Sequence, residues 1–133
     1  MMFVTNPERY DVVVTENVFG DITSEIAAGV VGGLGVAPSG DVSLKHGIFQ
    51  PSHGSAPDIA GKGVANPVAT ILSAAMMLEW LAQQHEDARC TEVATAIRRA
   101  TAAVLLDGPR TPDLGGKGTT ESVTDAVVAA LKN

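Results

Sequence analysis

The chain has 133 residues, a formal charge of -6 from 9 Lys+Arg against 15 Asp+Glu, and 45% hydrophobic but only 4% aromatic residues. That length makes about one domain with a core of its own, so neither disulfides nor a structural metal is needed for folding, and the absence of any basic cluster argues against nucleic acid as a partner. A lone cysteine, Cys90, an N-terminus without a basic segment leading into an apolar core, and an apolar run at 67–78 too short to span a bilayer lead us to expect a soluble, cytoplasmic, reduced protein with no membrane association.

In chain order, the first element is "DVVVT" at 11–15, a continuous β-branched run without polar alternation, which predicts a strand covered on both faces in a parallel sheet. It comes so soon after Met1 that the chain reads as opening in mid-fold. Ile22, Ile26, Ala27 and Val30 then recur at helical spacing, with Asp21 where a carboxylate favours a helix start. "GVVGGLGVAPSGD" holds 5 of the 14 glycines and predicts a turn-rich passage. "GIFQ" at 47–50 suits a short strand.

Asn66 and Pro67 form a strong helix start, a capping side chain followed by a ring that presets the first helical dihedral. The helix is expected to reach about residue 83 and to be buried on most sides, since Val68, Ile71, Leu72, Ala75, Met76, Leu78 and Leu81 surround it. A further helix is expected over 91–106, with Val93, Ile97, Ala100 and Val104 inward, stopped by Gly108 and Pro109. The last is expected over 120–131, burying Val123, Val127 and Leu131. Strand, helix and glycine turns in this order make a layered α/β domain, with fewer strands than its helices call for.

Two constellations carry chemistry. Asp21 and Glu25 are one helical turn apart and so share a face, an arrangement of hard oxygen donors suited to Mg²⁺ or Mn²⁺. The alternative is that Asp21 caps the helix and Glu25 is a solvated charge. In the loop "PSHGSAPDIAGKGVANP", His53, Gly54, Ser55 and Ala56 offer backbone N–H groups where the chain can turn tightly, which suits a phosphate. Asp58 would repel a phosphate but can accept hydrogen bonds from a ribose diol. His53 either meets a base or ties the loop together, and both readings stand at this point. No G-x-G-x-x-G follows a strand, and no nucleophile elbow or Cys–His arrangement is present, so a conventional Rossmann site and nucleophilic catalysis are not supported; His46 and His85 read as surface residues.

"VVVTENVFGDITSE", "GGLGVAPSG", "HGSAPDIAGKGVANPVATILSAAMML" and "TPDLGGKGTTESVTDAV" resemble, in order and separation, the C-terminal part of the isocitrate/isopropylmalate dehydrogenase family, the β-decarboxylating 2-hydroxyacid dehydrogenases. The resemblance covers the whole chain. It implies a three-layer α/β/α isopropylmalate dehydrogenase-like fold, with residues 1–133 as a single C-terminal, cofactor- and metal-binding portion. It implies Asp21 and Glu25 as ligands of Mg²⁺ or Mn²⁺, although the family usually has aspartate at the second position. It implies NAD contacts from His53, Gly54, Ser55, Ala56, Asp58, Ile59 and Asn66. Asp58 and Ile59 stand for NAD, because relatives using NADP carry Lys-Tyr there. Gln50 replaces the family's usual glutamate.

The reaction implied is NAD-dependent oxidative decarboxylation of a 2-hydroxy dicarboxylic acid by a cytoplasmic homodimer. The motifs lean to 3-isopropylmalate, the leucine-biosynthesis substrate, while "GGLGVAPSG" leans to isocitrate or tartrate. The family's substrate arginines, catalytic tyrosine and lysine, and a further metal aspartate belong to an N-terminal portion with no counterpart here. The chain is therefore expected to be an incomplete piece without turnover of its own. The alternative from another class is a non-catalytic nucleotide-binding or assembly module.

Overall fold

In the computed structural model, which describes residues 1–132, the N-terminal residues form a short helix, α1 (Met2–Thr5), and a turn closed by the contact of Phe3 with Tyr10. The valine run at 11–15 is not a strand. It joins no ladder, and Val14 is 93% exposed, because no strand among the described residues lies beside it. β-branching makes such a run able to pair, and only a neighbour makes it a strand.

The next helix, α2 (Asn17–Val31), begins earlier than its apolar pattern suggested. Asp21 consequently sits in the helix interior, and the alternative in which it is a cap is overturned. Gly32 and Gly33, at φ 125° and 112°, end the helix in a conformation that side chains resist, and a single 3-10 turn over Leu34–Val36 follows. The α2 stripe Phe19, Ile22, Ile26 and Val30 is exposed, and Ala28 alone of the helix is buried.

The glycine-rich passage is only half turn. Its later residues form strand β1 (Pro38–Val42), antiparallel to β2 (Gly47–Pro51), which lies where the sequence placed a strand; Gly40 faces Phe49 in the register. A Cβ on Gly40 would lie 2.9 Å from Met76 Sδ and 3.1 Å from the Phe49 ring, so the absence of a side chain there seats the hairpin. Phe49 in turn meets Trp80, with ring centroids 6.0 Å apart.

Met76 and Trp80 belong to α3 (Val68–His85), which starts at the Asn-Pro signal because Asn66 Oδ1 accepts the Val68 N–H at 3.0 Å. The hairpin covers one side of α3 and α4 (Ala88–Asp107) packs along another. α4 begins before residue 91 because Asp87 caps it, its Oδ1 accepting the Arg89 N–H at 3.0 Å. Val93 is half exposed and its neighbour Ala94 is fully buried, so the inward position of that turn lies one residue later than expected. α5 (Thr120–Leu131) has the expected bounds and a capping box between Thr119 and Ser122. Val123 and Val127 are buried, whereas Leu131, the last residue of the helix, is 43% exposed.

The core is aliphatic. Val68, Ala100, Val104, Val123 and Val127 form its buried centre, with Val36, Ile71, Leu72 and Leu105 packed around them. Small side chains let three helices approach closely, which explains how a chain poor in aromatics closes a core.

Candidate functional site

The loop after β2 is arranged by backbone conformation first. Ala56 adopts φ 42° and ψ 63°, a left-handed conformation uncommon outside glycine, immediately before Pro57 and the 3-10 turn Pro57–Ile59. His53 Nδ1 lies 2.9 Å from the Gly54 carbonyl oxygen, which can only accept, so the ring donates from Nδ1. The far end of the loop is held by α5, whose Thr120 N–H donates to Gly63 O at 2.9 Å.

These contacts frame a cleft of about 490 Å³ between the loop, the Leu34 turn and the Pro112–Leu114 turn. Its walls are largely apolar, with Leu34, Ile59, Val64 and Pro112 among them. At one side stand Asn66 and Asp113, whose side chains meet through Asn66 Nδ2–H donating to Asp113 Oδ2 at 2.9 Å. A cleft of this size with apolar walls and few convergent polar groups suits an apolar-faced ring such as a heterocycle.

Of the residues expected to meet a cofactor, His53, Gly54, Ala56, Ile59 and Asn66 line this cleft together. Ser55 and Asp58 are exposed and lie outside its lining, Asp58 on the short Pro57–Ile59 turn whose Ile59 does line it. His46 and His85 are surface residues, as expected.

A second, smaller hollow of about 210 Å³ is lined by Asp21, Ser24, Glu25, Leu34 and Ser52. Both carboxylates therefore reach one space, and their helical spacing accounts for it. Ser24 Oγ donates to the Asp21 carbonyl at 2.9 Å, which holds that hydroxyl along the helix. Among the described residues no cluster of three or more His, Cys, Asp or Glu suited to a metal occurs. Two hard oxygen donors without nitrogen or sulfur fit an ion such as Mg²⁺ or Mn²⁺, which binds through one or two carboxylates and fills its shell with water and substrate oxygens. Leu34 lines both spaces and is their common wall.

Sequence reasoning assigned no role to Leu34, Gly35, Asp113 or Thr120. Asp113 lies in "TPDLGG", but only the fold carries it to Asn66. A Cβ on Gly35 would stand 2.7 Å from Asp113 Oδ2 and 3.0 Å from Asn66 Cβ, which is how tightly the Leu34 turn presses on that pair.

With this geometry, an α/β layered chain carries a heterocycle-sized cleft beside a two-carboxylate hollow. A family model described as Isocitrate/isopropylmalate dehydrogenase matches residues 1–127, and the chain belongs to that family. The isocitrate/homoisocitrate dehydrogenase of Thermus thermophilus is 57% identical over 133 residues, covering 100% of this chain and 38% of the relative. The 3-isopropylmalate/3-methylmalate dehydrogenase of Methanocaldococcus jannaschii is 49% identical over 132 residues, covering 99% and 38%. The crystal structure of isocitrate dehydrogenase from Methylococcus capsulatus matches with a TM-score of 0.88 at 41% identity, over 100% of this chain and 38% of that one. The chain thus spans little more than a third of the length of these relatives, has their α/β fold, and corresponds to the C-terminal part. The relatives' names divide among isocitrate, homoisocitrate and isopropylmalate.

Proposed function

We propose that this chain is the part of an NAD-dependent decarboxylating dehydrogenase that holds the adenosine half of the cofactor and supplies two metal-binding carboxylates. The substrate is a 2-hydroxy di- or tricarboxylic acid: 3-isopropylmalate first, with isocitrate or tartrate as alternatives. The observation that carries this reading is the shared wall. Leu34 separates the Asn66–Asp113 cleft from the Asp21–Glu25 hollow, so a dinucleotide anchored in one would run toward a metal-bound substrate in the other.

Within this reading the loop from His53 to Ile59 wraps the adenosine, with Ser55 and the neighbouring backbone N–H groups toward its phosphate. Asp58, exposed beside the cleft, accepts from the ribose diol and repels a 2′-phosphate, which favours NAD over NADP. Asp21 and Glu25 hold the divalent ion; when bound, it would polarise the substrate's oxygens as a Lewis acid. The dinucleotide, when bound, would accept the hydride. Acid–base chemistry is assigned to residues outside this chain. The exposed α2 stripe of Phe19, Ile22, Ile26 and Val30 supports assembly as a homodimer.

Calorimetric titration of the purified chain with NAD and NADP, together with a dehydrogenase assay in the presence of Mn²⁺ and each of the three acids, tests the reading. The expected result is tighter binding of NAD and no turnover by the chain alone. Failure to bind NAD, or equal binding of NAD and NADP, would overturn it.

A further inference from the structure

The valine run at 11–15 leaves its backbone as well as its side chains without neighbours. From Asp11 to Thr15 no main-chain N–H or carbonyl is hydrogen-bonded among the described residues, although the run is β-branched and holds neither glycine nor proline. Val12 and Val14 stand 83% and 93% exposed with Val13 between them at 48%, the alternation of a run whose successive side chains turn to opposite sides. Free backbone groups in such a run are a template for pairing with another chain.

The residues around the run favour its own copy as that other chain. In an antiparallel pair centred on Val13, Val12 of one copy lies opposite Val14 of the other, Asp11 opposite Thr15 and Tyr10 opposite Glu16. Valine then meets valine, and no like charges face each other. Moving the centre to Val12 sets Val13 opposite Asp11 and brings Glu8 toward Glu16; moving it to Val14 sets Val12 opposite Glu16. A parallel pair in register stacks Asp11 on Asp11 and Glu16 on Glu16. The edges of the hairpin are poorer complements, since β1 begins at Pro38, β2 ends at Pro51 and Gly40 has no side chain to pair. From this we infer that residues 11–15 are an interaction surface for a second copy of this chain, closing a two-stranded antiparallel ladder about Val13. The contact goes beyond the homodimer reading, which the α2 stripe supports separately.

Sedimentation equilibrium of the purified chain over a wide concentration range tests this. The wild type should self-associate reversibly, and Val14→Lys, at a side chain almost wholly in solvent, should weaken that association by about tenfold or more, since the two-fold axis counts the change twice. In a Cys90→Ser background, Val13→Cys sets two thiols across the axis and should link two copies on mild oxidation. Val12→Cys, which faces Val14 of the other copy, should link far less. Phe19→Lys examines the α2 stripe by itself. Association that survives Val14→Lys but not Phe19→Lys, without a Val13→Cys link, overturns the strand contact and leaves the homodimer reading standing. A chain that stays monomeric at every concentration, as it would if the run pairs only with a strand from a different polypeptide, overturns both.

Discussion

The Thr120 hydroxyl donates to the carbonyl oxygen of Ala65 at 2.5 Å, joining residues 55 apart in the chain. With the Thr120 N–H already bonded to Gly63 O, the first residue of α5 holds two carbonyls of the loop that frames the cleft. Thr120→Val keeps the shape and the N–H but removes the hydroxyl, at a cost of about 1 kcal/mol. We expect nucleotide affinity to fall severalfold and the thermal midpoint by a few degrees, measured by titration and calorimetry on the same preparation.

Gly35→Ala addresses the same cleft from the opposite wall. The added methyl would lie 2.7 Å from Asp113 Oδ2 and 3.0 Å from Asn66 Cβ, closer than packed atoms allow, so the pair must move. Nucleotide binding should weaken by about tenfold, in line with the 1–3 kcal/mol usual for overpacking. Unchanged affinity for NAD would show that the Asn66–Asp113 geometry does not matter to the ligand.

The carboxylate hollow has its own test. Asp21→Asn and Glu25→Gln each remove one anionic oxygen donor while keeping shape, and each should raise the Mn²⁺ concentration for half-saturation by about tenfold or more, because hard cations depend on ligand charge. Electron paramagnetic resonance of free Mn²⁺ measures this without any turnover. If only Asp21→Asn shifts the titration, Glu25 stands in the hollow without binding the ion.

Core stability should depend on the α4–α5 contact. Val127 is buried against the cluster of Val68, Ala100, Val104 and Val123, and Val127→Ala removes two methyl groups where neighbours cannot fill the space. The expected loss is about 2 kcal/mol, from about 0.8 kcal/mol for each buried carbon plus a cavity contribution. Val128→Ala, on the exposed side of the same helix, should change the denaturation midpoint little.

Between α3 and α4, Arg98 donates to both carboxylate oxygens of Glu79, at 2.5 and 2.7 Å. These hydrogen bonds, more than the charge attraction, hold the Glu79 carboxyl below its usual 4.5. A folded-state value below the unfolded one contributes stability that is fully present above the usual glutamate range and is lost as the pH falls through the lowered value. Both side chains are more than a third exposed, so the contribution is discounted for solvent to about 0.5 kcal/mol. Glu79→Gln should therefore lower the thermal midpoint by about 2 °C at neutral pH and by nothing once the pH lies below the lowered folded-state value. The Asp87 cap is pulled to about 2, mainly by its hydrogen bond from the Arg89 side chain.

Much of the chain was legible from local chemistry. Asn66-Pro67 marked α3 because a cap and a fixed dihedral act within one turn, and the spacing of Val123 and Val127 marked the buried face of α5 for the same reason. Asp21 and Glu25 were bound to share a face once they lay on a helix. The glycines and prolines of "HGSAPDIAGKGVANP" marked a loop of special backbone conformation, and Ala56, Gly61 and Gly63 do take positive φ there. The valines at 11–15 misled because strand formation needs a partner that residue type cannot supply, and β1 was missed because its pairing with β2 outweighs a glycine-rich composition.

Tertiary structure alone decided which distant residues meet. Nothing within a few positions of Asp113 announces Asn66, and nothing near Leu34 announces that it walls two spaces. Periodicity and capping report on neighbours one turn away. A cleft is made where the packing of α3, α4 and α5 against a hairpin brings three turns together, and that convergence is a property of the whole core.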